Sequence, residues 1–220
     1  MSKVPYFLAG RLAALALLAG LGGGGAILIQ DQPLQVPTAE MQQALVDQYV
    51  RAVAADQATS SAVKVAMVLG HFYESSGKHI GTPYVDRLGR GQPLTVCNGI
   101  TGAGVVVGKW YSPAECYQLE RGRYLAAERA AQRLLMHWRS YDPLVQGQFI
   151  DFLHNKGEGA FVTSTMLRKA NAGDLAGACS ENPRWNKGTV AGLQQVLPGL
   201  QQRGDANEVI CRAWRVEWLG

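Results

Sequence analysis

An uncharged stretch near the start of the chain is the feature that most restricts how this protein can fold. It contains 19 residues, positions 12–30, between Arg11 and Asp31. At about 1.5 Å per residue, a helix of this length crosses the hydrocarbon core of a bilayer, which is about 30 Å thick. Lys3 and Arg11 are the charged side chains that precede it. The positive-inside tendency therefore keeps the N-terminus inside and predicts that the rest of the chain is exported.

This stretch is expected to be a weak anchor. Glycine occupies position 20 and positions 22–25, and each glycine weakens a helix by about 1 kcal/mol relative to alanine. A cleaved signal peptide is an alternative, although no convincing small-x-small cleavage site follows. A glycine-rich hairpin buried in a cytosolic protein is another. We expect residues 1–30 to form a signal-anchor segment that contacts the inner membrane through residues 12–30.

Composition indicates one folded domain with a short appendage. The chain has 220 residues, of which 47% are hydrophobic and 17% charged, so a packed core is expected and wholesale disorder is not. The net charge of +4 favours acidic polymers, but it does not choose among nucleic acid, anionic lipid and bacterial wall.

The chain contains four cysteines, and none are spaced C-x-x-C. The absence of this spacing argues against the usual structural zinc site and against the thioredoxin motif. An even number of cysteines in an exported chain is compatible with two disulfides. The four are Cys97, Cys116, Cys179 and Cys211.

The segment after the uncharged stretch is expected to lead into a helical domain. Two prolines in residues 31–38 indicate a linker, and apolar residues at helical spacing predict a helix over 39–56. Ser60 or Ser61 is a candidate cap for a second helix that runs to Glu74. We therefore divide the rest into a linker and connecting helix at 31–60 and a folded domain at 61–220.

Residues 75–111 change character, because glycine recurs among short β-type runs at 94–96 and 105–107. This pattern predicts a small sheet or hairpin. Helices are expected to resume at 112–140, where Ser112 and Glu115 form a capping box, and again from Asp142. A glycine-rich break at 157–159 follows. Further helical segments are predicted from Thr163 or Ser164 to 173, over 174–179, and over 205–218. The expected class is α+β, a mainly helical domain with one small sheet.

Three residues are candidates for chemistry. Glu74 ends a hydrophobic helix, and both the negative helix end and apolar neighbours such as Phe72 would favour its protonated form. Asp86 and Thr95 lie in the predicted sheet. Hydrolysis by direct attack of water needs an acid on one side of the bond and a carboxylate that activates water on the other. Glu74 and Asp86 fit these two roles if the sheet folds over the helix end, and Thr95 would help to hold the water.

These residues and several downstream blocks resemble the phage-type lysozymes of glycoside hydrolase family 24, the endolysins. Glu74, Asp86 and Thr95 fall on the positions of the family's Glu, Asp and Thr signature. The resemblance spans about residues 63–211. The blocks that carry it are YVDRLGRGQPLTVCNGITG, YSPAEC, FLHNKGEGAF, STMLRK through AC at 178–179, PGL at 198–200, and Arg203 to Cys211.

The resemblance implies inverting hydrolysis of the β-1,4 bond between N-acetylmuramic acid and N-acetylglucosamine in peptidoglycan, with no metal or cofactor and no nucleic-acid partner. It also implies disulfides Cys97–Cys116 and Cys179–Cys211. A lysozyme behind a weak anchor is similar to the signal-anchor-release endolysins. That similarity implies a host inner-membrane location followed by release to the periplasm, a phage holin or pinholin acting indirectly, and a monomer.

The spacing of the three candidates departs from the family pattern. Eleven residues separate Glu74 from Asp86, and eight separate Asp86 from Thr95, which is longer than the family's usual spacing. Some relatives activate by reshuffling a disulfide from within the anchor. Residues 1–96 contain no cysteine, so we expect a steric mechanism instead. A lytic transglycosylase and a membrane-tethered wall-binding protein remain the alternatives.

Overall fold

The computed structural model describes residues 37–86, 91–190 and 192–213. The predicted anchor at 12–30 and the end of the predicted helix over 205–218 lie outside these residues. Contacts divide the chain into Met1–Val36 and Pro37–Gly220. Within the described ranges, no helix combines the length and the apolar character that a bilayer crossing requires.

Two capped helices begin the described fold. Helix α1 spans Ala39–Ala55 and is capped by Thr38, while α2 spans Ser61–Glu74 and is capped by Ser60. In both cases the hydroxyl of the cap accepts a backbone N–H of the first turn, which satisfies a donor that the helix itself leaves free. Helix α1 packs on α3 (Pro113–Leu134) and buries Tyr49 and Val53 in the core, so it is part of the folded body.

A small antiparallel sheet follows α2, as the glycine-rich pattern predicts. Its strands are β1 (Tyr84–Val85), β2 (Leu94–Val96) and β3 (Ile100–Thr101), in the order β1-β2-β3. Thr95 in the central strand pairs with Tyr84 on one side and Thr101 on the other. The sheet thus places Thr95 and Tyr84 side by side.

The β-type run at 105–107 is not a strand, and that expectation is wrong. The Tyr111 hydroxyl accepts the Val106 N–H and donates to the Gly104 carbonyl, both at 2.8 Å. A side chain therefore satisfies the backbone groups that a partner strand would otherwise pair. Val106 and Val107 are left exposed in a turn.

Helices make up most of the remaining fold, with three differences from the predicted boundaries. The helix predicted over 112–140 ends at Leu134, and a short 3₁₀ turn covers Trp138–Ser140. The glycine-rich break contains a helix of its own, α5. The last helix begins at Pro198 rather than at residue 205, after a hairpin that the sequence reasoning missed. The elements are α3 (Pro113–Leu134), α4 (Pro143–Lys156), α5 (Glu158–Val162), α6 (Thr165–Asn171), α7 (Leu175–Cys179), β4 (Lys187–Val190), β5 (Leu193–Val196) and α8 (Pro198–Arg212).

Helix α4 lies at the centre of the core and packs on α2, α3 and α8. Gly147 permits the close approach to α2, because a Cβ there would lie 2.6 Å from Val65 Cγ1.

Two disulfides cross-link the fold, and they join the pairs that the resemblance implies. Cys97–Cys116 links the turn after β2 to α3, and Cys179–Cys211 links α7 to α8. The expected α+β class is confirmed.

Gly70 in α2 provides the space for the buried ring of Tyr124. A Cβ at this position would collide with the Tyr124 hydroxyl, so we expect Gly70→Ala to destabilise the fold by about 2 kcal/mol through overpacking. Tyr124→Phe should recover part of that loss, because it removes the colliding oxygen, a buried atom without a hydrogen-bond partner among the described residues. Urea unfolding of the single and double variants measures both effects.

Gly122 supplies the matched control for this experiment. It is an exposed glycine inside α3, and a Cβ there meets nothing within 4 Å. Gly122→Ala should therefore stabilise the protein by up to about 1 kcal/mol through helix propensity. Equal effects of the two alanine substitutions would contradict the packing assigned to Gly70.

Candidate active site

Glu74 is the last residue of α2, and its side chain opens onto a groove. The groove has a volume of about 450 Å³ and lies between the end of α2, the turn after β2, and helices α3 and α4. The Glu74 side chain is 30% exposed, so it is accessible and still partly enclosed. The polar residues on the groove wall are Glu74, Asn98, Arg123, His154 and Glu158.

Arg203 of α8 holds Glu74 in place. Its Nη1 lies 2.5 Å from Glu74 Oε1, and its Nη2 and Nε lie 2.6 and 3.0 Å from the two oxygens of Asp151 in α4. Asn207 donates to Asp151 as well, at 2.8 Å. Burial would lower the pKa of Arg203, but the charges and hydrogen bonds of Asp151 and Glu74 outweigh it and raise that pKa. The guanidinium is therefore charged, and it joins three helices at the groove.

The surroundings of Glu74 differ from the expectation in one respect. Phe72 is 60% exposed, so it does not cover the carboxyl group as the sequence suggested. A side chain two positions away on a helix points in another direction. Besides Arg203, the neighbour is Asn155, whose Nδ2 lies 3.4 Å from Glu74 Oε1.

Asp86 directly follows β1, and its backbone N–H donates to the Pro93 carbonyl at 3.0 Å. Residues 87–90, which follow it, lie outside the described ranges. The pKa of Tyr84 is raised by burial first and then by the charges of Asp86 and Glu74. The Tyr84 phenol therefore lies within electrostatic reach of both carboxylates.

Thr95 lies in the middle of the sheet and is only 2% exposed. Its hydroxyl donates to the Pro93 carbonyl at 3.2 Å, the same oxygen that accepts the N–H of Asp86. Thr95 pairs with Tyr84 on β1. It therefore lies beside the tyrosine whose pKa is raised by the charges of both Asp86 and Glu74. The sheet thus groups Asp86, Thr95 and Tyr84.

The sequence reasoning missed two residues that shape this site, Arg203 and Asn98. Arg203 belongs to the segment from Arg203 to Cys211 that resembles the family, but the predicted helix begins at residue 205 and the sequence indicates no partner for this arginine. A usable signal exists, because Arg203 and Asn207 are four residues apart and share one face of α8. For Asn98 we find no signal, since its contacts come from residues far away in the sequence.

Three further polar residues near Glu74 have partners within the protein. Asp151 is fully buried against Arg203, and Glu158 forms an exposed ion pair with Arg133 at 2.6 Å. His154 stacks on Tyr124, with ring centroids 4.0 Å apart.

A larger groove, of about 750 Å³, lies between α1, the start of α3 and the loop at 104–111. Its wall is mainly apolar, and its ion pair is Lys109–Glu115. It contains none of Glu74, Asp86 and Thr95. The smaller groove includes Glu74, but Asp86 and Thr95 do not line it either. The structure therefore places Glu74 on the groove wall, and Asp86 and Thr95 at the small sheet.

His71, one turn before Glu74, is buried and stacks on Tyr49 with ring centroids 4.1 Å apart. Burial, and secondly the charge of His79, lower the pKa of His71 to about 4. An unfolded chain binds this proton below pH 6.5 and the folded protein does not, so stability should fall as pH drops from about 6.5 towards 4. The shift corresponds to about 3 kcal/mol. Urea midpoints at several pH values measure it.

His71→Gln is the comparison for that pH series. The variant lacks the buried imidazole, so its unfolding free energy should fall less steeply over this pH range than that of the unsubstituted protein. Identical slopes would contradict a neutral, buried His71.

Comparisons with known proteins agree in family and in fold. A profile of the family described as Phage lysozyme matches residues 79–207. The SAR-endolysin of Bacteriophage PS119 is 36% identical over 129 residues, which cover 59% of this chain and 72% of that protein. The endolysin from Escherichia coli O157:H7 phage FAHEc1 superposes with a TM-score of 0.59 at 19% identity, covering 72% of this chain and 94% of that one. The active form of P1 phage endolysin Lyz gives a TM-score of 0.59 at 16% identity, covering 80% and 96%.

Proposed function

Since the chain belongs to the phage lysozyme family and is a glycoside hydrolase that degrades peptidoglycan for host lysis, we propose that Glu74 is its catalytic acid. The resemblance drawn from the motifs is confirmed at the level of the family. In the proposed reaction, Glu74 protonates the leaving oxygen of the β-1,4 bond between N-acetylmuramic acid and N-acetylglucosamine. The carboxylate of Asp86 activates the attacking water, and Thr95 helps to hold that water.

The observation that carries this assignment is the position of Glu74 on the groove wall, held from behind by Arg203 at 2.5 Å. A general acid must keep its carboxyl group aimed at one atom of the substrate. The bond from the buried guanidinium restrains the carboxyl group, and the far side remains open to the groove. The support for Asp86 is its match to the family's motif and its position directly after β1, in which Tyr84 pairs with Thr95. The reaction requires no metal or cofactor.

Glu74→Gln tests the acid. The amide keeps the shape and can still bond to Arg203, but it has no proton to transfer, so lysis should slow by about 10²–10⁴-fold. The variant should remain folded with a lowered unfolding temperature, because Arg203 loses one charged partner and keeps Asp151. The assay is the turbidity of outer-membrane-permeabilised Gram-negative cells. Glu40→Gln, at an exposed glutamate in the first turn of α1, is the control and should lyse normally. Full lysis by Glu74→Gln would overturn the assignment.

Analysis of the digested wall distinguishes the alternatives. Hydrolysis yields free reducing ends, whereas a lytic transglycosylase leaves anhydro-muramyl products. A non-enzymatic wall-binding protein releases neither, and its action would not change with Glu74→Gln. Product analysis of the unsubstituted protein and of Glu74→Gln therefore distinguishes the three functions without further variants.

The N-terminal part is proposed to regulate where the enzyme works. Residues 1–30 would tether it to the host inner membrane through residues 12–30. Residues 31–60 would join this anchor to the catalytic domain at 61–220 through a linker and α1, which packs into the core of that domain. Release would deliver the enzyme to the periplasm after a holin or pinholin acts. The uncharged run and the SAR-endolysin relatives support this. The tether would keep Glu74 and the sheet apart or close to the bilayer until release.

Cell fractionation tests the release step. Before the membrane potential is collapsed, the full-length chain should sediment with membranes, and afterwards it should move to the periplasmic fraction without a change in mass. Weak burial of a glycine-rich span makes such an exit feasible. A chain that stays in the membrane after collapse would refute release, and a shortened periplasmic product would favour a cleaved signal peptide.

A further inference from the structure

Asn98 lies on the wall of the Glu74 groove and is only 6% exposed. Both donor positions of its amide nitrogen are taken inside the protein. Nδ2 lies 2.9 Å from Glu120 Oε2 and 3.0 Å from His71 Nδ1, and the backbone N–H of Asn98 donates to Glu120 Oε1 at 3.0 Å. Asn98 is therefore held by α3 through Glu120 and by α2 through His71.

These partners decide which way the amide faces. A carboxylate only accepts hydrogen bonds, and Glu120 accepts three, from the Tyr49 hydroxyl at 2.5 Å and from two nitrogens of Asn98. Exchanging the oxygen and nitrogen of the amide would bring its oxygen against the carboxylate of Glu120. The Asn98 carbonyl oxygen must therefore point away from this network.

The backbone around Asn98 is restrained as well. Cys97, directly before it, has a positive φ of 55° and is tied to Cys116 by the disulfide, and Gly99 has a φ of 80°. The side chain and the main chain of Asn98 are thus both fixed before any ligand arrives. Such preorganisation lowers the entropic cost of binding.

Asn98 Oδ1 has no hydrogen-bond partner within the described part of the chain, and it is not among the fully enclosed polar atoms. We propose that Asn98 is a sugar-binding residue whose Oδ1 accepts a hydrogen bond from the acetamido N–H of a 2-acetamido sugar in the groove beside Glu74. This inference rests on the proposed function of the groove. Tyr49 and Glu120 are positioning residues, because they act through the orientation of Asn98.

The buried carboxylate supports this reading of the network. Burial raises the pKa of Glu120, and the hydrogen bonds from Tyr49 and Asn98 oppose that rise. If Glu120 only stabilised the turn, it would need to accept no more than the backbone N–H of Asn98. Here the same carboxylate also binds the side-chain amide, which leaves Oδ1 as the polar atom of the Asn98 side chain that is free to bind a ligand.

The test uses the full-length chain with Glu74→Gln, so that sugars bind without being cleaved. The probe is tri-N-acetylchitotriose, and proton NMR follows its acetamido N–H signals during titration. One signal should move downfield on binding. With Asn98→Ala added, that shift should disappear and affinity should fall about tenfold, as expected for one lost hydrogen bond. Binding that leaves all the N–H signals in place, or that is equally tight after Asn98→Ala, would overturn the proposal.

Asn171 provides the matched control. Its amide is also held at both ends, by Leu134 and Met136, but it lies outside the groove. Asn171→Ala in the same background should bind the trisaccharide with unchanged affinity and an unchanged N–H shift. A loss equal to that of Asn98→Ala would show a general effect on folding and would also overturn the proposal.

Tyr49→Phe keeps the test decisive if Asn98→Ala fails to fold. It removes the hydroxyl that bonds to Glu120 and leaves every groove residue in place. With Glu74 present, hydrolysis of isolated peptidoglycan should show KM raised about threefold at unchanged kcat, since only ground-state orientation of Asn98 is loosened. An unchanged KM, or a fall confined to kcat, would refute the positioning role. Full lysis by Glu74→Gln, by contrast, would remove the proposed function itself.

Discussion

The buried Arg203 is the interaction on which the rest of the site depends. Its side chain is 5% exposed and bridges Asp151, which is completely buried, and Glu74, which is 30% exposed. Taking these charges out of water is costly, and removing one partner of such a group leaves a buried charge uncompensated, at about 3–5 kcal/mol. The last helix must therefore dock in one register, because only that register brings the guanidinium to both carboxylates. The orientation of Glu74 is consequently set by the far end of the chain.

Local signals in the sequence predicted the starts of helices well. Ser60, Asp142 and the Ser112–Glu115 capping box each satisfy free N–H groups within their own first turn, so a few neighbouring residues carry the whole signal. The elements that were missed depend on distant partners. The valines at 105–107 were expected in a strand because of their β-branched side chains, but the Tyr111 hydroxyl accepts the Val106 N–H and donates to the Gly104 carbonyl. Helix α8 begins at Pro198, before the predicted residue 205, and Gly204 inside it packs closely against Asn182 because it lacks a Cβ.

The same distinction between local signals and distant partners applies to the residues of the candidate site. Glu74, Asp86 and Thr95 could be proposed from the sequence because a helix end, a turn and a strand leave local patterns, and because these patterns resemble a known family. Arg203 and Asn98 were not assigned, because their roles come from residues far away in the sequence: Arg203 reaches Asp151 across 52 positions, and Asn98 reaches Glu120 across 22. A pattern in one sequence contains the residue types but not these pairings. The chemistry of the groove was therefore partly predictable, and the groups that orient it were not.

The network under the groove also connects the site to the first helix. Tyr49 of α1 bonds to Glu120 and stacks on His71, and both of those residues hold Asn98. If α1 leaves the core, Glu120 loses a donor and His71 loses its stacked ring, so the energy that orients Asn98 falls. By linkage, the free energy by which docking of α1 favours the oriented groove equals the free energy by which the oriented groove favours docking of α1. Docking of α1 and the orientation of the groove are therefore coupled through Tyr49.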